Sequence, residues 1–178
     1  KAVRIIALGT LNKRKSFDRL LFVVNKLRNE SFDFETLILG DGPERVKLQQ
    51  FIDNNKLNSV VKLIGYVDNP YPYIISSDIY VCSSYAEGYN TAVSEAIILG
   101  KAVVSTEVSG IREQLGENSE FGIVTNNSED GLYSGLKEML SRDNISKYQL
   151  KANTRAKIFN LSKQMKLIYD LIENEHNQ

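Results

Sequence analysis

The sequence has very few of the side chains that form disulfides, zinc sites or histidine-based catalytic pairs. Its 178 residues include one cysteine, Cys82, and one histidine, His176. Cys82 lies in an apolar run and is expected to be buried and reduced, which excludes a disulfide framework and favours a cytoplasmic protein. Because His176 is alone in a polar tail, the chain cannot form a zinc site or a catalytic histidine dyad.

Charge and hydropathy exclude two further classes of protein. The 22 basic residues balance the 22 acidic ones, so nucleic acid is not an expected partner and neither is a general membrane surface. No apolar run approaches the ~20 residues that a bilayer-spanning helix needs. No signal peptide is visible, and Lys1 in place of methionine predicts a trimmed chain. The length favours a single domain over residues 1–178.

Strand-like and helix-like segments alternate along the chain, which predicts a Rossmann-like α/β fold with a parallel sheet covered on both faces. About six strands are predicted, at residues 3–8, 36–39, 60–64, 79–82, 102–105 and 122–124. Helices are predicted at residues 16–28, 43–54, 91–99, 129–140, 145–158 and from residue 162. The loops at Gly9, Gly40, Gly65, Glu87 and Thr106 follow strand ends, where ligands of such sheets bind.

Residues 87–95 predict a turn that binds phosphate between two carboxylates. Glu87 lies in the loop, and Glu95 lies one to two turns into a helix that begins at Thr91 and closes at Gly100. Backbone N–H groups at a helix N-terminus suit phosphate. Carboxylates are repelled by phosphate and suit hydroxyl groups instead. A ligand with phosphate in its middle and hydroxyls at both ends, such as a nucleotide sugar, fits this arrangement.

Six segments resemble, in the same order, the motifs of retaining GT-B glycosyltransferases of family 4, the "glycosyl transferases group 1" type. Glu87 and Glu95 match the E-x7-E signature, and residues 9–18 are similar to the first loop, G-R-L-x-x-x-K-G-F-D. The other four matches are the G-x-G-P turn (40–43), the base-pocket segment (61–67), the strand before E-x7-E (77–81) and the G-x-x-E turn (110–113). Together they span residues 3–125, and a helix typical of the family follows.

The resemblance implies the C-terminal, donor-binding half of a GT-B fold, whose N-terminal acceptor domain would be absent from this chain. The implied reaction moves a sugar from a nucleoside diphosphate to a glycan or lipid-linked hydroxyl with retained configuration, in glycan or polysaccharide biosynthesis. No cofactor is implied, and the lack of a D-x-D motif agrees with a metal-independent enzyme. The expected location is the cytoplasm or the inner face of the membrane, and the fragment alone is expected to be inactive.

The resemblance also assigns roles to individual residues. Glu87 would contact the transferred sugar and Lys15 would neutralise the departing diphosphate, so both are the predicted catalytic residues. Glu95 would hold the ribose hydroxyls. The predicted donor-binding residues are Gly9, Thr10, Arg14, Lys15, Gly65, Tyr66, Gly88, Tyr89, Asn90, Thr91, Ala92 and Glu95. Among them, the backbone N–H groups of residues 90–92 would face the diphosphate.

Three residues depart from the family pattern. Thr10 replaces the arginine of the first loop, Ser16 replaces its glycine, and Asn90 stands where many relatives have proline or glycine. One phosphate-binding cation is therefore missing from its usual place, and Arg14 or Lys13 could replace it. Two alternatives to a glycosyltransferase therefore stay open. One is a non-catalytic protein that only binds nucleotide sugars, and the other is a nucleotide-sugar epimerase on the same fold. An NAD enzyme is not favoured, because the first loop lacks G-x-G-x-x-G.

Overall fold

The computed structural model describes residues 2–157, which fold around one parallel β-sheet. Its six strands are β1 (Val3–Leu8), β2 (Phe34–Leu39), β3 (Val61–Gly65), β4 (Ile79–Cys82), β5 (Ala102–Thr106) and β6 (Ile123–Thr125). They lie in the order β3-β2-β1-β4-β5-β6, and every neighbouring pair is parallel. The predicted six-stranded parallel sheet is confirmed.

Seven helices connect or follow these strands in the described part of the chain. They are α1 (Phe17–Asn29), α2 (Arg45–Asn54), α3 (Tyr71–Ile75), α4 (Thr91–Ile98), α5 (Ile111–Leu115), α6 (Glu129–Met139) and α7 (Arg142–Ala156). Helices α1, α2 and α6 bury their apolar side chains against one face of the sheet. Helices α3, α4 and α5 cover the other face, and α7 contributes to both cores. This two-sided burial explains why the strands are almost uniformly apolar.

The strand order reverses between β1 and β4, which places a crevice beyond their carboxyl ends. The loops that follow the strands are tied together along this rim. The N–H of Gly40 donates to the carbonyl of Gly65 at 2.7 Å, and the N–H of Tyr85 donates to the carbonyl of Arg14 at 2.9 Å. The prediction that these loops share one rim is thereby confirmed.

Several element boundaries differ from the sequence-based prediction. Helix α2 begins at Arg45 rather than at Pro43, because residues 43 and 44 form a turn before it. Helix α7 begins three residues earlier than predicted, since the hydroxyl of Ser141 accepts the N–H of Asn144 and caps it. Strand β2 begins at Phe34, two residues earlier than predicted.

Two helices were missed and one predicted helix lies outside the structure described. Helices α3 and α5 have five residues each, which is too short for a helical periodicity to be seen. The helix predicted from residue 162 lies outside residues 2–157. Within those residues, no helix combines the length and apolarity needed to cross a membrane.

Ser16, which replaces the family's glycine, adopts a left-handed conformation immediately before α1. Its φ and ψ are 51° and 48°, and it is fully buried. An L-residue in this region is disfavoured by about 1–2 kcal/mol relative to its ordinary conformations. The backbone at Ser16 therefore has a geometry that suits glycine better than serine.

Ser16→Gly should therefore stabilise the domain. We expect a gain of about 0.5–1 kcal/mol, because relief of the left-handed backbone outweighs the lost hydrogen bond from Ser16 to Asp18. The matched control is Ser76→Gly, at a residue with φ −75°, where glycine relieves nothing. Thermal unfolding of both variants checks this, and a Ser16→Gly variant no more stable than wild type would contradict it.

Candidate functional site

Lys15 and Glu87, the two predicted catalytic residues, meet at the crevice between β1 and β4. Lys15 lies in the loop after β1 and Glu87 in the loop after β4. The Lys15 Nζ is 2.6 Å from the Glu87 Oε1, and the two side chains are only 18% and 8% exposed. The hydroxyl of Ser84 donates to the same carboxylate oxygen at 2.5 Å. Two oppositely charged side chains are thus fixed against each other at the place where parallel sheets bind ligands.

A cavity of about 390 Å³ lies at the carboxyl ends of β1, β2 and β3. It is lined by Leu8, Gly9, Thr10, Leu39, Gly40, Asp41, Tyr66, Val67 and Pro70. Its volume lies within the usual range of small-molecule sites. A side chain at Gly9 would come within 2.9 Å of the Lys15 Cε, so glycine leaves room for the stem of the lysine that pairs with Glu87. The structure therefore places three predicted donor-binding residues, Gly9, Thr10 and Tyr66, in one cavity.

The N-terminus of α4 opens beside the ion pair. Asn90 is 5% exposed and turns its side chain inward, where its Nδ2 donates to the Sγ of Cys82 at 3.3 Å. Among the described residues, the N–H groups of Thr91 and Ala92 have no acceptor, as expected in the first turn of a helix. Gly88 and Tyr89 are exposed on the same turn. The turn therefore presents unpaired backbone donors, which suits an anion.

Glu95, the second carboxylate, is half-buried one turn further along α4. The hydroxyl of Tyr71 donates to the Glu95 Oε1 at 3.3 Å. Burial raises the pKa of Glu95, and the hydrogen bond from Tyr71 opposes that rise. Burial, together with the charge of Glu95, raises the pKa of Tyr71 to about 12. Tyr71 is thus a neutral donor that orients Glu95, and no signal in the sequence marked it, because it belongs to the short helix α3.

The buried side-chain amide of Gln114 is hydrogen-bonded to the turn that begins α4. Gln114 of α5 is fully buried, and its Nε2 donates to the carbonyl of Asn90 at 2.8 Å and to the Oγ of Ser94 at 2.7 Å. The hydroxyls of Ser94 and Tyr89 lie 3.1 Å apart. The amide thereby connects α5 to the turn that begins α4.

Gly65 and Arg14 complete the predicted set. Gly65 ends β3 and contributes its backbone carbonyl to the rim. Arg14 is exposed, and none of the ion pairs within residues 2–157 includes its side chain. The suggestion that Arg14 or Lys13 replaces the family's arginine stays a prediction. The ion pair of Lys15 with Glu87 was not foreseen, because the family roles direct each residue towards the ligand.

The chain is similar to known glycosyltransferases in sequence. The pattern of the family described as glycosyl transferases group 1 matches residues 2–142. A relative from Campylobacter jejuni, N-acetylgalactosamine-N,N'-diacetylbacillosaminyl-diphospho-undecaprenol 4-alpha-N-acetylgalactosaminyltransferase, is 34% identical over 158 residues, which are 87% of this chain and 42% of that protein. A human relative, named as one component of phosphatidylinositol N-acetylglucosaminyltransferase, is 28% identical over 170 residues, or 94% of this chain and 33% of that protein.

Solved structures of glycosyltransferases have the same fold. A pneumococcal O-GlcNAc transferase in complex with UDP and GlcNAc superposes with a TM-score of 0.81 at 19% identity, covering 95% of this chain and 36% of that one. WaaG, a glycosyltransferase involved in lipopolysaccharide biosynthesis, superposes with a TM-score of 0.77 at 19% identity, covering 98% and 46%. These likenesses confirm the predicted GT-B type of fold. The chain spans less than half the length of each of these relatives, and it belongs to the glycosyl transferases group 1 family.

Proposed function

We propose that this chain is the donor-binding half of a retaining, metal-independent glycosyltransferase whose acceptor domain lies elsewhere in a longer protein. The observation that supports this most is the Lys15–Glu87 ion pair, which joins the loop after β1, where Gly9 and Thr10 line the cavity, to the loop that leads into α4. The cavity suits a base, the cation and the unpaired backbone donors suit a diphosphate, and the carboxylates of Glu87 and Glu95 suit hydroxyl groups.

The proposed donor extends across these groups. The base occupies the cavity beside Tyr66, and the ribose hydroxyls bind Glu95. The diphosphate binds the ammonium of Lys15 and the N–H groups of residues 90–92 at the start of α4. The sugar then lies next to Glu87, whose carboxylate accepts hydrogen bonds from its hydroxyls.

The chemical role of the site is to stabilise charge as the sugar leaves the diphosphate. The bond between the anomeric carbon and the diphosphate oxygen breaks, and its electron pair stays with that oxygen. The acceptor oxygen bonds to the anomeric carbon on the same face, and its proton passes to the diphosphate. Lys15 and the helix N-terminus stabilise the growing negative charge, and Glu87 stabilises the positive charge on the ring, each by preorganised contacts of several kcal/mol.

The names of the relatives favour an N-acetylhexosamine as the transferred sugar and a lipid-linked acceptor. The bacterial relative is named as an N-acetylgalactosaminyltransferase acting on a diphospho-undecaprenol, and the human relative as part of a phosphatidylinositol N-acetylglucosaminyltransferase. UDP is present in the pneumococcal structure. We therefore propose UDP-N-acetylhexosamine as donor and the inner face of the membrane as the place of action.

Calorimetric titration of this chain with UDP and UDP-N-acetylglucosamine tests the proposal. We expect binding at millimolar or lower concentration, unchanged by EDTA, and no sugar transfer, since nothing in 178 residues supplies a second domain to position an acceptor and exclude water. GDP- and ADP-sugars serve as comparison ligands. Failure to bind any of these ligands would overturn the donor site, and efficient transfer by this chain alone would overturn the half-enzyme assignment. Epimerised product would support the epimerase alternative instead.

Glu95→Gln should stabilise the domain at neutral pH while weakening its affinity for nucleosides. Burial raises the pKa of Glu95 in the folded state, so ionisation of this carboxyl opposes folding. The penalty is full above the folded pKa, shrinks as the pH falls through that pKa and is gone below the unfolded pKa. The glutamine oxygen still accepts from Tyr71, but uridine should bind about 5- to 10-fold more weakly for want of a charged acceptor.

Two measurements check the Glu95 prediction. Thermal unfolding should show a higher Tm for the variant at pH 7 and a smaller gain near pH 4. Calorimetry should show weaker uridine binding but unchanged binding of inorganic pyrophosphate. Equal weakening of both ligands would show that Glu95 acts on the fold and not on ribose.

A further inference from the structure

Arg19, in the first turn of α1, is a buried arginine that neither lines the cavity nor belongs to the Lys15–Glu87 ion pair. Its side chain is 4% exposed, and within residues 2–157 no carboxylate forms an ion pair with it. Burial lowers the pKa of Arg19, with Tyr85 and Asp18 opposing that effect. Burying a charge is costly unless it is well hydrogen-bonded. The guanidinium of Arg19 therefore needs hydrogen-bond acceptors within the fold.

The guanidinium binds the chain where it leaves β4. Its Nη2 donates to the carbonyl of Ser84 at 3.0 Å and makes a shorter bond to the carbonyl of Ser83. Its Cζ lies 4.3 Å from the centre of the Tyr85 ring. One planar side chain thus contacts three successive residues of the loop that leads to Glu87.

Those same residues hold both members of the ion pair. The hydroxyl of Ser83 donates to the carbonyl of Lys15 at 2.9 Å. The hydroxyl of Ser84 donates to the carboxylate of Glu87 at 2.5 Å. The backbone of Lys15 and the side chain of Glu87 are therefore both hydrogen-bonded to Ser83 and Ser84, the two residues whose carbonyls Arg19 binds.

Asn127, in the loop between β6 and α6, extends this support. Its Oδ1 accepts from the Nη1 of Arg19 at 2.9 Å. Its Nδ2 donates to the carbonyls of Tyr85 at 2.9 Å and Glu107 at 2.8 Å. The hydroxyl of Thr106 donates to the carbonyl of Ser84 at 2.7 Å. The loops after β4, β5 and β6 are joined to α1 through two side chains.

We propose that Arg19 is a positioning residue that fixes Lys15 and Glu87 in the geometry needed to bind the diphosphate and the transferred sugar. This inference rests on the proposed function of the site. Arg19 does not line the cavity and touches neither the base nor the ribose site, so it acts through Ser83 and Ser84. A lysine could keep the charge, but it lacks the planar fork that reaches several acceptors at once.

Arg19→Lys, compared with wild type, tests the inference by titration with two ligands. UDP uses the diphosphate site, whereas uridine uses only the cavity and Glu95. We expect UDP to bind about tenfold more weakly, the cost of misplacing one or two charge-assisted contacts, and uridine to bind within about twofold of wild type. The matched control is Arg28→Lys, on the same helix, whose Nη1 contacts the carbonyl of Asn55 away from the site; both of its affinities should stay at the wild-type value.

The outcomes separate this inference from the proposed function. If wild type binds neither UDP nor uridine, the proposed UDP-linked donor fails, and this inference fails with it. If wild type binds both and Arg19→Lys either keeps its UDP affinity or loses both affinities equally, the positioning role is overturned.

A double-mutant cycle with Ser83→Ala tests the route, because the Ser83 hydroxyl donates to the carbonyl of Lys15. The two changes should be non-additive for UDP, and strict additivity would overturn the path through Ser83. If Arg19→Lys shows no cooperative unfolding transition and is therefore not folded, the UDP affinity of Asn127→Ala tests the inference in its place. A selective loss of UDP affinity supports the inference, and unchanged UDP affinity overturns it.

Discussion

Glu87→Gln should lower turnover about 100-fold or more in the full-length transferase that we propose, while making UDP bind more tightly to this domain. In the proposed mechanism the carboxylate stabilises positive charge on the sugar ring, and the neutral amide of glutamine does not. Tighter UDP binding follows from the ion pair: Glu87 neutralises Lys15 at 2.6 Å, and its charge repels an incoming diphosphate. Removing it should strengthen UDP binding by about 1 kcal/mol, roughly fivefold.

The control for this variant is Glu35→Gln. Glu35 forms an equally close ion pair, 2.7 Å from the Nε of Arg4, but at the amino ends of the strands, away from the crevice. The turnover and the UDP affinity of the Glu35→Gln variant should stay at the wild-type values. Titration calorimetry and initial rates check both variants. Near-wild-type turnover would remove Glu87 from the mechanism, and weaker UDP binding would show that the carboxylate positions Lys15 more than it competes for it.

The sheet and its rim could be predicted because they depend on local patterns. Apolar strands alternating with amphipathic helices predict a parallel sheet, and strand ends then mark the loops that share a rim. Helix α4 was predicted at residues 91–99 and is observed at Thr91–Ile98, because its apolar face and the glycine after it are both local signals. Pro43 misled the prediction of α2, because a proline suits the turn before a helix as well as its first residue.

The supports of the site could not be predicted, because they depend on contacts between distant segments. Tyr71 reaches Glu95 across 24 residues of sequence from a helix of one turn. Arg19 follows the basic residues Lys13 to Lys15 and resembles a further solvated charge until the fold buries it. Only the three-dimensional path of the β4 loop brings the carbonyls of Ser83 and Ser84 over its guanidinium.

Lys15→Met should weaken UDP binding by about 1.5–3 kcal/mol, or about 10- to 150-fold, the range for a lost charge-assisted contact. Methionine is preferable to alanine because its unbranched chain can still run over Gly9, where the lysine stem lies. The variant also leaves the carboxylate of Glu87, 8% exposed, with the hydroxyl of Ser84 as its remaining partner. We therefore expect the free energy of unfolding to fall by about 1–3 kcal/mol, so that the variant unfolds at a lower temperature than wild type.

The double variant Lys15→Met with Glu87→Gln separates the effect of the lost cation from the effect of the unpaired carboxylate. If the unpaired Glu87 contributes to the defect, the double variant should bind UDP more tightly than Lys15→Met alone and should regain stability. Lys137→Met is the matched control, because the Nζ of Lys137 pairs with Glu30 at 2.6 Å on a surface away from the crevice. Unchanged UDP affinity in Lys15→Met would move the phosphate role to Arg14 or Lys13. Equal affinities in the single and double variants would show that Glu87 does not repel the diphosphate.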